Sequence, residues 1–194
     1  MKRNPILPPV VKFNLIPLFL FVATLCLPAA FAETAKDTAW EIYISSQKKL
    51  QVALHELVRL HQPELKPVID KGREWQLGLA DLRSRRFYHL LKIEPQRIAR
   101  TGGFSEFVNF SWSDQDEETL RVSDSDFRKL AERVEKLSRE VSADPTFSEV
   151  ETQLKLLEKD PHYLEILARF RFVSKDVEDA LNAGTEIPRE TSLK

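Results

Sequence analysis

The sequence predicts a mainly α-helical bundle built on a long antiparallel helix pair, with a small β-hairpin over about 107–123. Three observations predict it. Apolar side chains in 39–61 fall at Trp40, Tyr43/Ile44, Leu50, Leu54 and Leu57, and in 68–92 at Val68/Ile69, Trp75, Leu79, Leu82, Phe87 and Leu90/Leu91. Such alternation of three and four is the period of one helix face, not the two-residue period of a strand. A third stripe, Phe127, Leu130, Val134, Leu137 and Val141, steps the same way. The strand period appears elsewhere, where Val108, Phe110 and Trp112 alternate with Asn109, Ser111 and Ser113.

Residues 1–32 read as a cleavable signal peptide. Lys2, Arg3 and Lys12 make a positive start, 15–27 is apolar and uncharged, and Ala30-Phe31-Ala32 supplies an A-x-A cleavage site with Glu33 as the new N-terminus. The alternative is an uncleaved anchor, since 13–32 is 20 residues long, though Asn14, Pro17 and Pro28 interrupt it. Leu25 before Cys26 does not suit lipid attachment to that cysteine. The remaining 162 residues carry 26 basic and 30 acidic side chains, a charge of −4, and no cysteine. A periplasmic or secreted domain of this kind takes its stability from packing without disulfides. The acidic balance argues against nucleic acid as a partner.

The first helix of the domain is expected from about Thr34 to His61, stopped by Gln62-Pro63 because the residue before proline is pushed out of the α region. Gln47 stands as a polar residue at one position of its apolar stripe. Pro67 suits the first turn of the second helix, and the short link favours antiparallel neighbours. Gly72 and Gly78 inside that helix should each cost about 1 kcal/mol relative to alanine. Close approach of another backbone is the expected compensation. Glu94-Pro95 ends this helix with room for one short turn, and Thr101-Gly102-Gly103 breaks the chain.

Over 107–123, strand, acidic turn (Asp114–Glu118) and strand read as a hairpin. The competing reading starts a helix at Ser113, with Asp116 completing a capping box. A helix is expected over 124–141, capped by Ser123 or Asp124. Asp144-Pro145 and Asp160-Pro161 echo each other 16 residues apart and start short helices over about 145–159 and 161–172. A last helix covers 174–182, Ala183-Gly184 ends it, and 186–194 is a polar tail, so the single helical domain spans 33–185.

Motifs for chemistry are few. His55-Glu56 begins like H-E-x-x-H, but position 59 is Arg. Asp114-x-Asp116-x-Glu118 opens like a calcium loop, but Thr119 and Ser125 occupy its glycine and bidentate-glutamate positions. The sequence shows no G-x-S-x-G elbow and no phosphate-binding glycine loop. No metal site and no cofactor are expected.

Two surfaces remain as candidates. Phe104, Phe107, Phe110 and Trp112 place four rings in nine residues. They form either a flap over the end of the helix pair or a binding groove with Asn109, Ser111 and Trp112 as polar-tipped contacts. Arg83, Arg85, Arg86, His89, Lys92, Arg97 and Arg100 are basic, while 114–126 is acidic. The two charged stretches either face each other within the fold, or Arg85, Arg86 and Arg97 meet an anionic envelope component. The candidate binding set is therefore Arg85, Arg86, His89, Arg97, Phe107, Asn109 and Trp112. The expected function is that of an exported binding or accessory protein of the cell envelope, with a protein or polymer partner. The helix faces also suit self-association, and a membrane enters only if the signal segment is retained. The alternative is an envelope hydrolase using carboxylates near 104–112.

Overall fold

Helix follows helix along this chain. The computed structural model describes residues 16–99 and 102–183, with side chains from residue 33 onward, and every regular element among them is helical. The elements are α1 (Ile16–His61), α2 (Lys66–Ile93), α3 (Gly103–Val108), α4 (Asp114–Ser123), α5 (Ser125–Ala143), α6 (Phe147–Leu156), α7 (Pro161–Phe170) and α8 (Val173–Ala183). Short 3-10 turns cover Pro63–Leu65, Pro95–Arg97 and Leu157–Lys159. Residues 1–15, Arg100, Thr101 and 184–194, with the Gly184 stop and the polar tail, lie outside the described residues.

The prolines set the boundaries as the sequence suggests. Gln62, at φ −137° and ψ 71°, has left the α region before Pro63, and Glu94 does the same before Pro95. The start of α1 differs from expectation: its backbone is helical from Ile16, so the expected cleavage point after Ala32 falls within the helix. No helix among the described residues is long and apolar enough to cross a membrane.

The hairpin over 107–123 is corrected to two helices and an extended link. Ser113 caps α4: its hydroxyl accepts from the Asp116 amide at 3.2 Å, and the Asp116 carboxylate accepts from the Ser113 amide at 2.8 Å. Asp114, Asp116 and Glu117 then sit in the first turn, where negative charge is favourable. A strand would put Leu120 and Val122 on one face. Instead Leu120 is buried and Val122 is 74% exposed, as helical spacing requires. Asp144 also differs: its carboxylate accepts from the Thr146 amide at 3.0 Å, but α6 begins only at Phe147. Asp160 caps α7 as expected, accepting from the His162 amide at 2.8 Å with Pro161 in the first turn.

Burial falls into three clusters. At one end of the bundle Trp40, Tyr43 and Ile44 of α1 pack on Phe87 and Leu90 of α2, with Phe107 of α3 and Val177 and Leu181 of α8. At the other end Leu57 and Val58 meet Val68, Ile69, Val150 and Leu157. On the flank of α2, Leu82 packs with Leu120 of α4 and with Phe127, Ala131 and Val134 of α5. Between α1 and α2, Trp40 Nε1 donates to Ser84 at 3.2 Å, Lys48 pairs with Asp81 at 2.5 Å, and Arg73 pairs with Glu56 at 2.9 Å.

The glycines of α2 are close-approach sites, but the neighbours are side chains. A Cβ on Gly72 would stand 3.3 Å from the Phe147 ring, and one on Gly78 only 2.6 Å from Val134 Cγ2.

Beside Gly72 lies His55, buried, with Nδ1–H donating to the Gln51 carbonyl at 2.7 Å. Burial holds its pKa below the ordinary value, with the Arg73 cation adding to that effect and the Gln51 hydrogen bond opposing it. The unfolded chain therefore takes up this proton at a higher pH than the folded protein does. The contribution is complete above pH about 6.5 and is lost as the pH falls below that value. Between pH 8 and 5 the urea midpoint should drop for the native chain and stay flatter for His55→Gln. Equal slopes would show that His55 does not set this dependence.

Candidate functional site

The basic end of α2 and the acidic helix α4 meet face to face. Arg86 Nε donates to Glu117 at 2.9 Å, and Glu117 also accepts from Trp112 Nε1 at 3.0 Å and Arg121 Nε at 3.1 Å. Arg121 reaches on to Glu135 of α5. Arg97 holds Asp116 with two bonds, at 2.9 and 2.6 Å, and donates to the Ser111 carbonyl at 2.9 Å. A planar guanidinium matches a carboxylate in this two-pronged way better than a lysine does.

The pairing shows in the proton affinities. The Arg97 guanidinium holds the Asp116 carboxyl far below the usual carboxylate range, helped by hydrogen bonds from Ser113. Burial pushes the Glu117 carboxyl up, but Arg86, Trp112 and Arg121 together bring it below its ordinary value. Amides of α5 lower Asp124, which Arg85 faces at 3.9 Å. A general acid needs the opposite shift, a carboxyl raised toward neutral pH.

The candidate residues are brought to one end of the bundle but are used differently there. Phe107 is fully buried against Trp40 and Phe87. Trp112 touches two of the apolar clusters, with Arg86 5.8 Å above its ring and the His89 ring edge-on at 6.0 Å. Arg86 and Arg97 are engaged by carboxylates, and Arg85 is half-exposed. Asn109 is exposed and accepts from Arg83 at 3.1 Å. The aromatic run thus closes over the end of α1 and α2, with α4 clasped beside it.

Trp112→Ala is expected to lower folding stability by about 2 kcal/mol, less than full burial would give, because the ring is only partly covered. Urea unfolding followed by circular dichroism reads this directly. An unchanged midpoint would mean that the ring contributes contact surface alone.

A second locus lies along the α1–α2 seam. Tyr43, Ile44, Gln47 and Gln51 of α1 and Gln76, Leu79, Ala80 and Arg83 of α2 line an opening of about 230 Å³. Tyr43, Ile44 and Leu79 belong to the apolar stripes and Arg83 to the basic stretch, but of the three glutamines only Gln47 carried a signal in the sequence, as the polar break in an apolar stripe. Arg83 is the arginine of the basic stretch that finds no carboxylate within ion-pair distance among the described residues. It donates to the Tyr43 hydroxyl at 3.1 Å, the Val108 carbonyl at 2.5 Å and the Asn109 side chain at 3.1 Å. Among the described residues no group of three His, Cys, Asp or Glu side chains is placed to hold a metal ion. No protein-family model matches this chain, and no curated protein or solved structure matches it either.

Proposed function

We propose that this chain is an exported binding or accessory protein of the cell envelope, acting by contact with a partner protein rather than by turnover. The carrying observation is the apolar surface around α7. Leu164 and Leu167 stand one turn apart there, 52% and 39% exposed, and Phe172 in the link to α8 is 54% exposed. Three large apolar side chains at one element, left open to water, suit a partner surface better than a solvated face. Arg171, 4.6 Å over the Phe172 ring, adds a cation at its edge. Removal of residues 1–32 fits this reading. Among the described side chains, which begin at residue 33, Ala35, Lys36, Ala39 and Trp40 are buried, and all of them lie after the Ala32 site and stay with the cleaved chain. The helix pair is then the antiparallel scaffold on which α7 is displayed.

The envelope-hydrolase reading would use carboxylates near 104–112. Two carboxylates beside that stretch, Asp116 and Glu117, are held in ion pairs and shifted toward the charged form, which favours the binding reading over catalysis by either of them.

In-cell photo-crosslinking separates the outcomes. A benzophenone side chain at 164 or 172 should give a discrete adduct, while one at Lys129, exposed on α5, should not. An adduct of twice the chain mass identifies a second copy as the partner. The same yield at all three positions, or none at any, contradicts the proposal. Turnover of an envelope polymer that Glu117→Gln abolishes without unfolding the protein would establish the hydrolase.

A further inference from the structure

The opening between α1 and α2 has a composition that packing does not explain. Helix pairs are held by apolar stripes, and the two ends of this pair follow that rule. Between them Gln47, Gln51 and His55 continue along α1 at four-residue spacing from Tyr43 of the first cluster, and Gln76 and Arg83 of α2 line the opening with Gln47 and Gln51. The side-chain amides of Gln47, Gln51 and Gln76 make no hydrogen bond to any described residue, although all three line the opening. The three residues are half-buried, and a leucine at any of their positions would bury more apolar area between the helices.

Arg83 closes one end of the seam, 5.6 Å over the Tyr43 ring. Its three hydrogen bonds go to uncharged acceptors, so its charge is not neutralised locally. A guanidinium has five N–H donors, so roughly two remain for a ligand. Each glutamine amide both donates and accepts, which complements hydroxyl or amide groups and rewards no purely apolar solute. A water occupies about 30 Å³ of liquid, so the opening admits a solute of about eight water-sized groups, one sugar ring or one amino acid.

We propose that this seam is a binding site for a small hydroxyl- or amide-bearing carboxylate, with the carboxylate at Arg83 and the body of the ligand along Gln47, Gln51 and Gln76. The proposal is independent of the α7 surface, and either can stand without the other. Sugar acids and amino acids share the required chemistry. Binding uses charge-assisted bonds at one end and neutral hydrogen bonds along the rest, so both parts are needed.

Side-chain amide signals of glutamine are visible in proton–nitrogen correlation spectra, which makes the test direct. The ¹⁵N-labelled protein, as the cell produces it, is titrated with D-glucuronate, L-glutamate, D-glucose and acetate. D-glucuronate or L-glutamate should shift the Gln47, Gln51 and Gln76 amide signals and saturate below about 10 mM. D-glucose, which lacks the charge, and acetate, which lacks the body, should each bind at least about tenfold more weakly. Saturation by one carboxylate and not the other tells a sugar acid from an amino acid. Gln47→Leu and Gln76→Leu should weaken binding by about tenfold or more while leaving the thermal midpoint where it was or raising it. No saturation with either carboxylate, D-glucose binding as well as D-glucuronate, or full affinity in both leucine variants each overturns the site.

Discussion

Trp40→Ala is expected to remove about 3–5 kcal/mol of folding stability, the largest loss of any single truncation in this bundle. Its ring is fully buried and stacks on Phe87 at 4.2 Å with the planes 4° apart. Phe107 and Phe110 meet it edge-on at 6.2 and 5.6 Å, and Tyr43 lies tilted at 5.3 Å. Four aromatic neighbours from α1, α2, α3 and the link after α3 therefore lose their common partner at once. Stacked and edge-on ring pairs contribute about 0.5–1.5 kcal/mol each beyond area burial, and the cavity adds its own cost because helices relax only partly. The indole also holds Ser84 across the helix pair, so that hydroxyl loses its donor as well. A midpoint in urea within a few tenths of a kcal/mol of the native chain would show that this end of the bundle is not its principal core.

Gly78→Leu is the second large effect, a loss of about 3 kcal/mol from overpacking. Propensity alone predicts the opposite, since glycine inside a helix is about 1 kcal/mol worse than alanine. The close approach reverses the sign. Even a lone Cβ at Gly78 would sit 2.6 Å from Val134 Cγ2, nearer than such atoms come, and a leucine adds three more carbons in the same direction. Val134 is buried on α5 among Leu82, Leu120 and Phe127, so it has little room to yield. Thermal unfolding of Gly78→Ala with and without Val134→Ala is the matching control. The alanine at 78 should be unfavourable beside valine and favourable beside alanine. Simple additivity of the two changes would contradict the steric account.

Much of the fold was legible because it rests on local rules. The stripes through Trp40, Leu57, Phe87, Phe127 and Val134 report burial directly, and Pro63, Pro95 and Pro161 punctuate helices by sterics alone. What failed was 107–123, where Val108, Phe110 and Trp112 do alternate but lie in the last turn of α3 and an extended link. There each side chain is aimed by the core it closes, with no neighbouring strand. The capping box at Ser113 and Asp116 was equally visible and was the stronger signal, because it satisfies backbone donors that a hairpin turn there would not. The basic and acidic stretches were legible as charges but not as pairs. Whether Arg86 finds Glu117, and Arg83 finds only uncharged acceptors, depends on how α4 docks, and no single helix encodes that. Gln47 was noticed as a break in a stripe. Its companions Gln51 and Gln76 lacked any such mark, since their positions relative to Arg83 exist only once α1 and α2 are paired.

The central claim is that the arginine end of α2 is an internal clasp, leaving Arg83 as the arginine of this stretch that, among the described residues, has no carboxylate partner. A double-mutant cycle on Arg97→Gln and Asp116→Asn, read by urea unfolding at neutral pH and low salt, tests it most directly. Asp116 is deprotonated throughout that range, since its carboxyl is shifted downward and its stabilising contribution is lost only as the pH falls below the ordinary carboxylate value. The account predicts a coupling of about 1–2 kcal/mol for this two-pronged, mostly covered pair, and no change in binding to anionic vesicles for Arg97→Gln. A coupling near zero, together with loss of vesicle binding in Arg97→Gln, would mean that these arginines face a partner and that the clasp is not what holds them.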